Sequence, residues 1–171
     1  TAELIIKNSG KVTIFDTQEE KGNTFVNSLD GSCDFILTDV TNESSVSKNL
    51  AIVKEKFGEI NLVVNCAGIG TPEKILGKES THSTSTFEKV LNVNLTGTFN
   101  VIKSAANEMK NNSSKLDDFK GLIINTASIA AYDGQIGQAA YSASKGGIVA
   151  MTLPIARELA KYGIRICTIA P

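Results

Sequence analysis

The chain alternates short apolar runs with longer stretches in which apolar residues recur every three or four positions. Five runs stand out: KVTIF (11–15), CDFILT (33–38), INLVVN (60–65), GLIINT (121–126) and IRICTI (164–169). Each is too short for a helix and apolar on both faces, which predicts parallel strands buried on both sides. Between them Val46, Leu50, Val53 and Phe57 keep helical spacing, and Gly58 supplies a stop. A longer helix is predicted over 84–110, with Phe87, Leu91, Asn94, Thr98, Ile102, Ala105 and Met109 along one face. A third runs from Tyr141 to Tyr162, with a kink expected at Pro154. The opening residues read as the tail of a helix. Strands alternating with helices predict a doubly wound α/β sheet, one domain over 1–171.

Two polar stretches, TPEKILGKESTHS (71–83) and NNSSKLDDFK (111–120), read as surface loops. With 42% hydrophobic and 20% charged residues, the composition excludes a disordered or low-complexity chain. Seventeen basic against eighteen acidic side chains give a formal charge of −1. That balance suggests neither a nucleic-acid-binding face nor a polybasic membrane patch. No apolar run approaches the roughly 20 residues that span a bilayer, so no membrane span is expected. Cys33, Cys66 and Cys167 are few, far apart and set in apolar runs, which predicts buried free thiols. His82 is the only histidine and cannot build a histidine-based metal site, so no metal is expected.

Chemistry concentrates near the carboxyl ends of the predicted strands. Tyr141 and Lys145 lie four apart at the start of a predicted helix and so share a face. A phenol ordinarily keeps its proton to about pH 10, and a neighbouring cation favours the phenolate. Ser128 ends the strand GLIINTAS, where an open α/β sheet has its crevice. Its hydroxyl suits donation to a substrate carbonyl, although a serine there also suits a turn. Asn94 interrupts an apolar stripe and needs buried partners, as a core amide or a functional one. Asp16 follows a strand, where a carboxylate can bind adenosine ribose hydroxyls and repel a 2′-phosphate. Asp39 follows the next strand and suits either an adenine amine or the start of a helix. Gly68 and Gly70 in NCAGIG follow a third strand, marking a close backbone approach or a tight turn.

Asn65-Cys66-Ala67-Gly68, Asn92-Val93-Asn94, Ser128 and Tyr141-x-x-x-Lys145, in that order, resemble the classical short-chain dehydrogenase/reductase family. The resemblance covers the whole chain and implies a Rossmann-type fold and an NAD cofactor. It implies Tyr141 as proton carrier, Ser128 as carbonyl-orienting donor and Asn94 as fourth member of the catalytic set. Lys145 would hold the nicotinamide ribose and favour the ionised tyrosine. Asp16, Asp39, Val40, Cys66 and Ala67 match adenosine-side positions, Asn65 and Gly68 further cofactor positions, and Pro171 begins a nicotinamide-side turn, while Gln135 and Gln138 would face the substrate.

The implied activity interconverts a secondary alcohol and a ketone, with 3-hydroxyacyl-CoA as the first substrate and hydroxysteroids next. A 3-oxoacyl carrier-protein reductase, which Asp16 opposes, and a sugar-alcohol dehydrogenase or other short-chain dehydrogenase are alternatives. An alternative of another class is a non-catalytic scaffold in mitochondrial tRNA processing. A homotetramer and a mitochondrial location follow from the same resemblance. The 141–162 helix, apolar on two faces, fits self-association: Ile148, Thr152, Ile155 and Leu159 mark one face and Val149, Leu153 and Ala156 the other, of which one can cover the sheet and the other needs a partner. The family's first strand and its T-G-x-x-x-G-x-G loop do not occur in the 171 residues. That strand would lie between KVTIF and INLVVN at the middle of the sheet, and losing it would cost more than a marginally stable domain holds. The expectation is therefore a part of a longer polypeptide.

Overall fold

The computed structural model describes residues 1–29, 31, 33–113 and 118–171. Among the described residues five strands form: β1 (Val12–Asp16), β2 (Cys33–Leu37), β3 (Leu62–Asn65), β4 (Gly121–Thr126) and β5 (Ile164–Ile169). The pairings between these strands are parallel. β1 pairs with β2, and β3–β4–β5 form a second ladder. Among the described residues no ladder joins β1 to β3.

The helices are α1 (Ala2–Lys7), α2 (Glu19–Asn27), α3 (Glu43–Phe57), α4 (Thr84–Leu91), α5 (Gly97–Met109) and α6 (Ala139–Ala160). α3 begins at Asn42, whose side chain caps the Ser45 N–H, and ends at Gly58 in a left-handed conformation (φ 86°). α2 packs on β1 and β2, whereas α5 and α6 cover β3, β4 and β5. This is the Rossmann-like α/β arrangement expected from the alternating pattern.

The core joins the two ladders. Val46 and Leu50 of α3 meet Val101, Ile102, Ala105 and Met109 of α5, and these meet Ile123, Ile164 and Ile166 of the sheet. Ion pairs Lys54–Glu108 (2.7 Å) and Lys103–Glu43 (2.6 Å) fasten the same two helices at the surface. Gly97 lets α5 approach closely, since a Cβ there would lie 2.5 Å from Val40 Cγ2. Asn100 Nδ2 then donates to the Val40 carbonyl at 3.0 Å.

Several expectations need correction. Only β4 is buried or half-buried along its whole length; β1, β2, β3 and β5 each expose at least one residue. A strand is buried on both faces only where both faces and both edges are covered, and here that holds for β4 alone. Cys33 is buried, but Cys66 and Cys167 are exposed free thiols. Cys66 lies just past the last residue of β3, and Cys167 alternates with buried Ile166 on β5. The 84–110 helix is not uniform: a π-helical segment, Asn92–Thr96, separates α4 from α5. On α6, Leu153 is exposed, whereas Ala156 packs against the core. In the 111–120 stretch, whose residues 114–117 lie outside those described, Asn112 is buried and donates to the carbonyls of Ile60 (2.7 Å) and Lys120 (2.9 Å). Among the described residues no helix is long and apolar enough to cross a membrane.

Ile123 is fully buried in the middle of β4. Ile123→Ala is expected to cost about 2–5 kcal/mol, read as a lower urea midpoint at unchanged slope.

Candidate active site

The π-helical segment determines how the site is built. The Gly97 N–H reaches back five residues to the Asn92 carbonyl, adding a residue to one turn, and a widening of this kind often marks a functional position. Asn94, in that turn, is fully buried and satisfied on every side. Its Oδ1 accepts from the Ile69 N–H (2.8 Å), and its Nδ2 donates to the Ile69 carbonyl (2.9 Å) and to Ser144 Oγ (3.0 Å). Ser144 in turn donates to the Tyr141 carbonyl at 2.7 Å. The Thr98 hydroxyl donates to the Asn94 carbonyl at 2.7 Å. One amide thus holds the loop after β3 against the N-terminal part of α6.

Between that loop and that part of α6 lies a cleft of about 580 Å³. Cys66, Gly68, Ser128, Gln138, Tyr141 and Lys145 line it, together with Gly70, Thr71, Pro72 and Gly137. The Lys145 ammonium is buried, donates to the Thr126 carbonyl at 2.7 Å and lies 5.6 Å from the centre of the Tyr141 ring. That leaves two N–H donors for the cleft. Burial pushes the ammonium below the usual lysine range, and Cys66 opposes the shift. Ser128 Oγ accepts from the Ala130 N–H at 3.2 Å, so its own hydrogen is free to donate. The glycines form a close wall: a Cβ on Gly68 would lie 3.3 Å from Asn94 Oδ1 and 3.7 Å from Lys145 Nζ, and one on Gly70 would lie 3.8 Å from the Tyr141 ring.

The other expected residues are distributed around this cleft. Asn65 lies beneath it, its Nδ2 donating to Asn125 Oδ1 at 2.9 Å. Ala67 is exposed beside the lining residues. Gln135 is exposed and outside the lining; its N–H donates to Gln138 Oε1 at 2.9 Å. The Pro171 carbonyl accepts from the Ile129 N–H at 2.7 Å, which places it beside the Ser128 turn. Asp16 stands exposed at the end of β1, its carboxylate accepting from the Gln18 N–H. Asp39 closes a turn on the N–H and hydroxyl of Thr41, whereas Asn42 is the helix cap. Val40 is half-buried against Gly97.

Ser144, Ile69 and the Thr126 carbonyl were not among the expected residues. Backbone partners carry no side-chain signature, and a serine between two motif residues reads as helix surface.

A profile of the short chain dehydrogenase family matches residues 1–171. The chain belongs to the short-chain dehydrogenase family. It is 50% identical to the 3-hydroxyacyl-CoA dehydrogenase type-2 of Bos taurus, over all of this chain and 66% of that protein. The chain thus spans just under two thirds of the length of this relative. Among solved structures, 3-hydroxyacyl-CoA dehydrogenase type-2 from Mycobacterium avium superposes with a TM-score of 0.92 at 33% identity, over 99% of this chain and 67% of that one. An NAD+-bound xylitol dehydrogenase superposes at 0.85 with 30% identity, covering 99% and 64%.

Asn94→Ala would leave both polar groups of Ile69 without their side-chain partner. The variant is expected to lose at least about 2 kcal/mol of stability and to exchange the Ile69 amide hydrogen faster, read by denaturant unfolding and hydrogen exchange.

Proposed function

We propose that the protein is an NAD-dependent oxidoreductase that interconverts a secondary alcohol and a ketone, with 3-hydroxyacyl-CoA and 3-oxoacyl-CoA as its substrate pair. The observation that carries this reading is the convergence of Ser128, Tyr141 and Lys145 on one cleft whose back is locked by Asn94. The likeness to 3-hydroxyacyl-CoA dehydrogenase type-2 proteins supports the substrate class. Hydroxysteroids are proposed as further substrates from the family resemblance alone.

The residues present fit a nicotinamide cofactor. The glycine wall leaves room for a flat group beside a buried ammonium with donors to spare. Tyr141 and Lys145 would hold its nicotinamide half, with Pro171 on the same side. Asp16, Asp39, Val40, Cys66 and Ala67 would meet its adenosine half, and Asn65 and Gly68 complete the cofactor positions. When bound, the cofactor supplies or takes the hydride.

The remaining chemistry belongs to the chain. The Ser128 hydroxyl donates to the substrate oxygen and fixes the plane of the carbonyl. The Tyr141 hydroxyl gives that oxygen a proton on reduction and takes it back on oxidation. Lys145 places positive charge beside the ring while the proton is away. Asn94 positions Tyr141 through Ser144.

We further propose, from the family resemblance of the motifs alone, a mitochondrial location and a homotetramer. The exposed apolar side chains of Phe99 on α5 and Leu153 on α6 suit burial against other subunits.

Acetoacetyl-CoA should drive NADH oxidation by the full-length protein. Tyr141→Phe should lower that turnover by about 10²–10⁴-fold while NADH binding, read by fluorescence, persists. Retained turnover in the variant would remove Tyr141 as proton carrier. Asp16→Ser should narrow the preference for NADH over NADPH, measured as the ratio of kcat/KM values.

A further inference from the structure

The 71–83 stretch, expected as an ordinary surface loop, is tied into the cleft at one residue. The Glu73 N–H donates to the Gly137 carbonyl at 2.9 Å, joining the loop after β3 to the residue before the cap of α6. Gly137 has a φ of 86°, and a Cβ there would lie 3.5 Å from Glu73 N and 3.7 Å from Pro72 Cβ. The two segments are therefore in close contact. Thr71, Pro72, Gly137 and Gln138 line the cleft, and Tyr141 follows three residues after Gln138.

The Glu73 side chain reaches the other way. Its Oε1 accepts from the Ser83 N–H at 2.6 Å, at the start of α4. That bond holds the Glu73 carboxyl below the usual carboxylate range, with Thr86 and His82 assisting against desolvation. His82 is nearly buried, and its Nδ1 lies 2.9 Å from the Ser83 carbonyl and 3.9 Å from Glu73 Oε2. Because a carbonyl only accepts, the ring proton sits on Nδ1. Between Glu73 and His82 the chain closes on itself: the His82 N–H donates to the Ile75 carbonyl, and the Gly77 N–H to the Ser80 carbonyl. One residue thus ties the ends of two helices to one wall of the cleft, with no part in the proton chemistry.

We propose that Glu73 is a positioning residue that fixes the substrate-side wall of the cleft, and so governs the fit of the carbonyl substrate rather than of the cofactor. This inference rests on the cleft being the reaction site proposed above. The clasp runs between 71–73 and 137–138, whereas the expected cofactor contacts after β3 are at 66–68. Loss of the carboxylate would free the Ser83 N–H, loosen the loop and let Pro72 and Thr71 leave Gly137.

The test uses the full-length protein with Glu73→Ala, Glu73→Gln and Glu73→Asp. Glutamine keeps an oxygen within reach of Ser83, whereas aspartate keeps the charge but is one methylene too short. Glu73→Ala and Glu73→Asp are expected to raise the KM for acetoacetyl-CoA by about tenfold, with kcat and the NADH dissociation constant within about twofold of the parent. Glu73→Gln is expected to restore the parental KM. A KM unchanged in both, or NADH binding weakened equally with KM, would overturn the proposal. Where Glu73→Ala does not fold, the comparison of aspartate with glutamine decides.

Hydrogen exchange gives a readout that needs no turnover. The amide of residue 73 should exchange faster in the alanine and aspartate variants and at the parental rate in glutamine. Unchanged exchange in all three would overturn the clasp. A parent without turnover but with this exchange pattern would instead overturn the proposed substrate and leave the clasp standing.

Discussion

The site depends on one buried amide satisfied by atoms from two other pieces of chain. Asn94 spends its acceptor and both donors on Ile69 and Ser144. A buried polar group that lost these bonds would carry its full desolvation cost, so the arrangement is held almost all-or-none. Its consequence is geometric: the loop after β3, the π-helical segment and the N-terminal part of α6 cannot drift apart while these bonds persist. The cleft is the space left between the loop and that part of α6. Hydrogen bonds behind it thus help to set its width.

Around that point the chain uses polar groups where a simpler domain would use apolar packing. Asn65 and Asn125 bond across β3 and β4 just below the cleft, and Thr168 bonds to Thr152 between β5 and α6. These directional contacts fix register in a way that side-chain volume alone does not. The apolar core lies further back, where α3 and α5 meet the sheet, and it joins the two ladders. Packing therefore supplies cohesion, and the polar network supplies aim.

Lys145 illustrates why the two must act together. Burial disfavours its charge, and the backbone carbonyl of Thr126 at the end of β4 offers one fixed acceptor. A cation held this way, close to a phenol and facing a cleft, is a preorganised electrostatic element rather than a surface charge. The same burial would be a liability if α6 were free to shift, and the Asn94–Ser144–Tyr141 chain restrains that shift.

The sequence by itself determined the five strands, most of the helices between them and the family, because periodicity and the Asn, Ser, Tyr and Lys motifs are properties of chain order; it did not mark α2 or the π-helical break between α4 and α5. It also marked Asn94 as an anomaly, since an amide on an apolar stripe signals an unpaid hydrogen-bonding demand. Only the tertiary structure decided which partners met that demand, because Ile69 offers backbone groups that no side chain announces. It alone exposed Cys66 and Cys167, through the strand end and the alternation that apolar neighbours concealed. It alone turned part of the 71–83 loop into a wall, because the Glu73 clasp pairs residues 64 positions apart through a main-chain bond. Local pattern fixes what a segment can become, and only closure of the chain brings together groups whose attraction is too short-ranged to act before they meet.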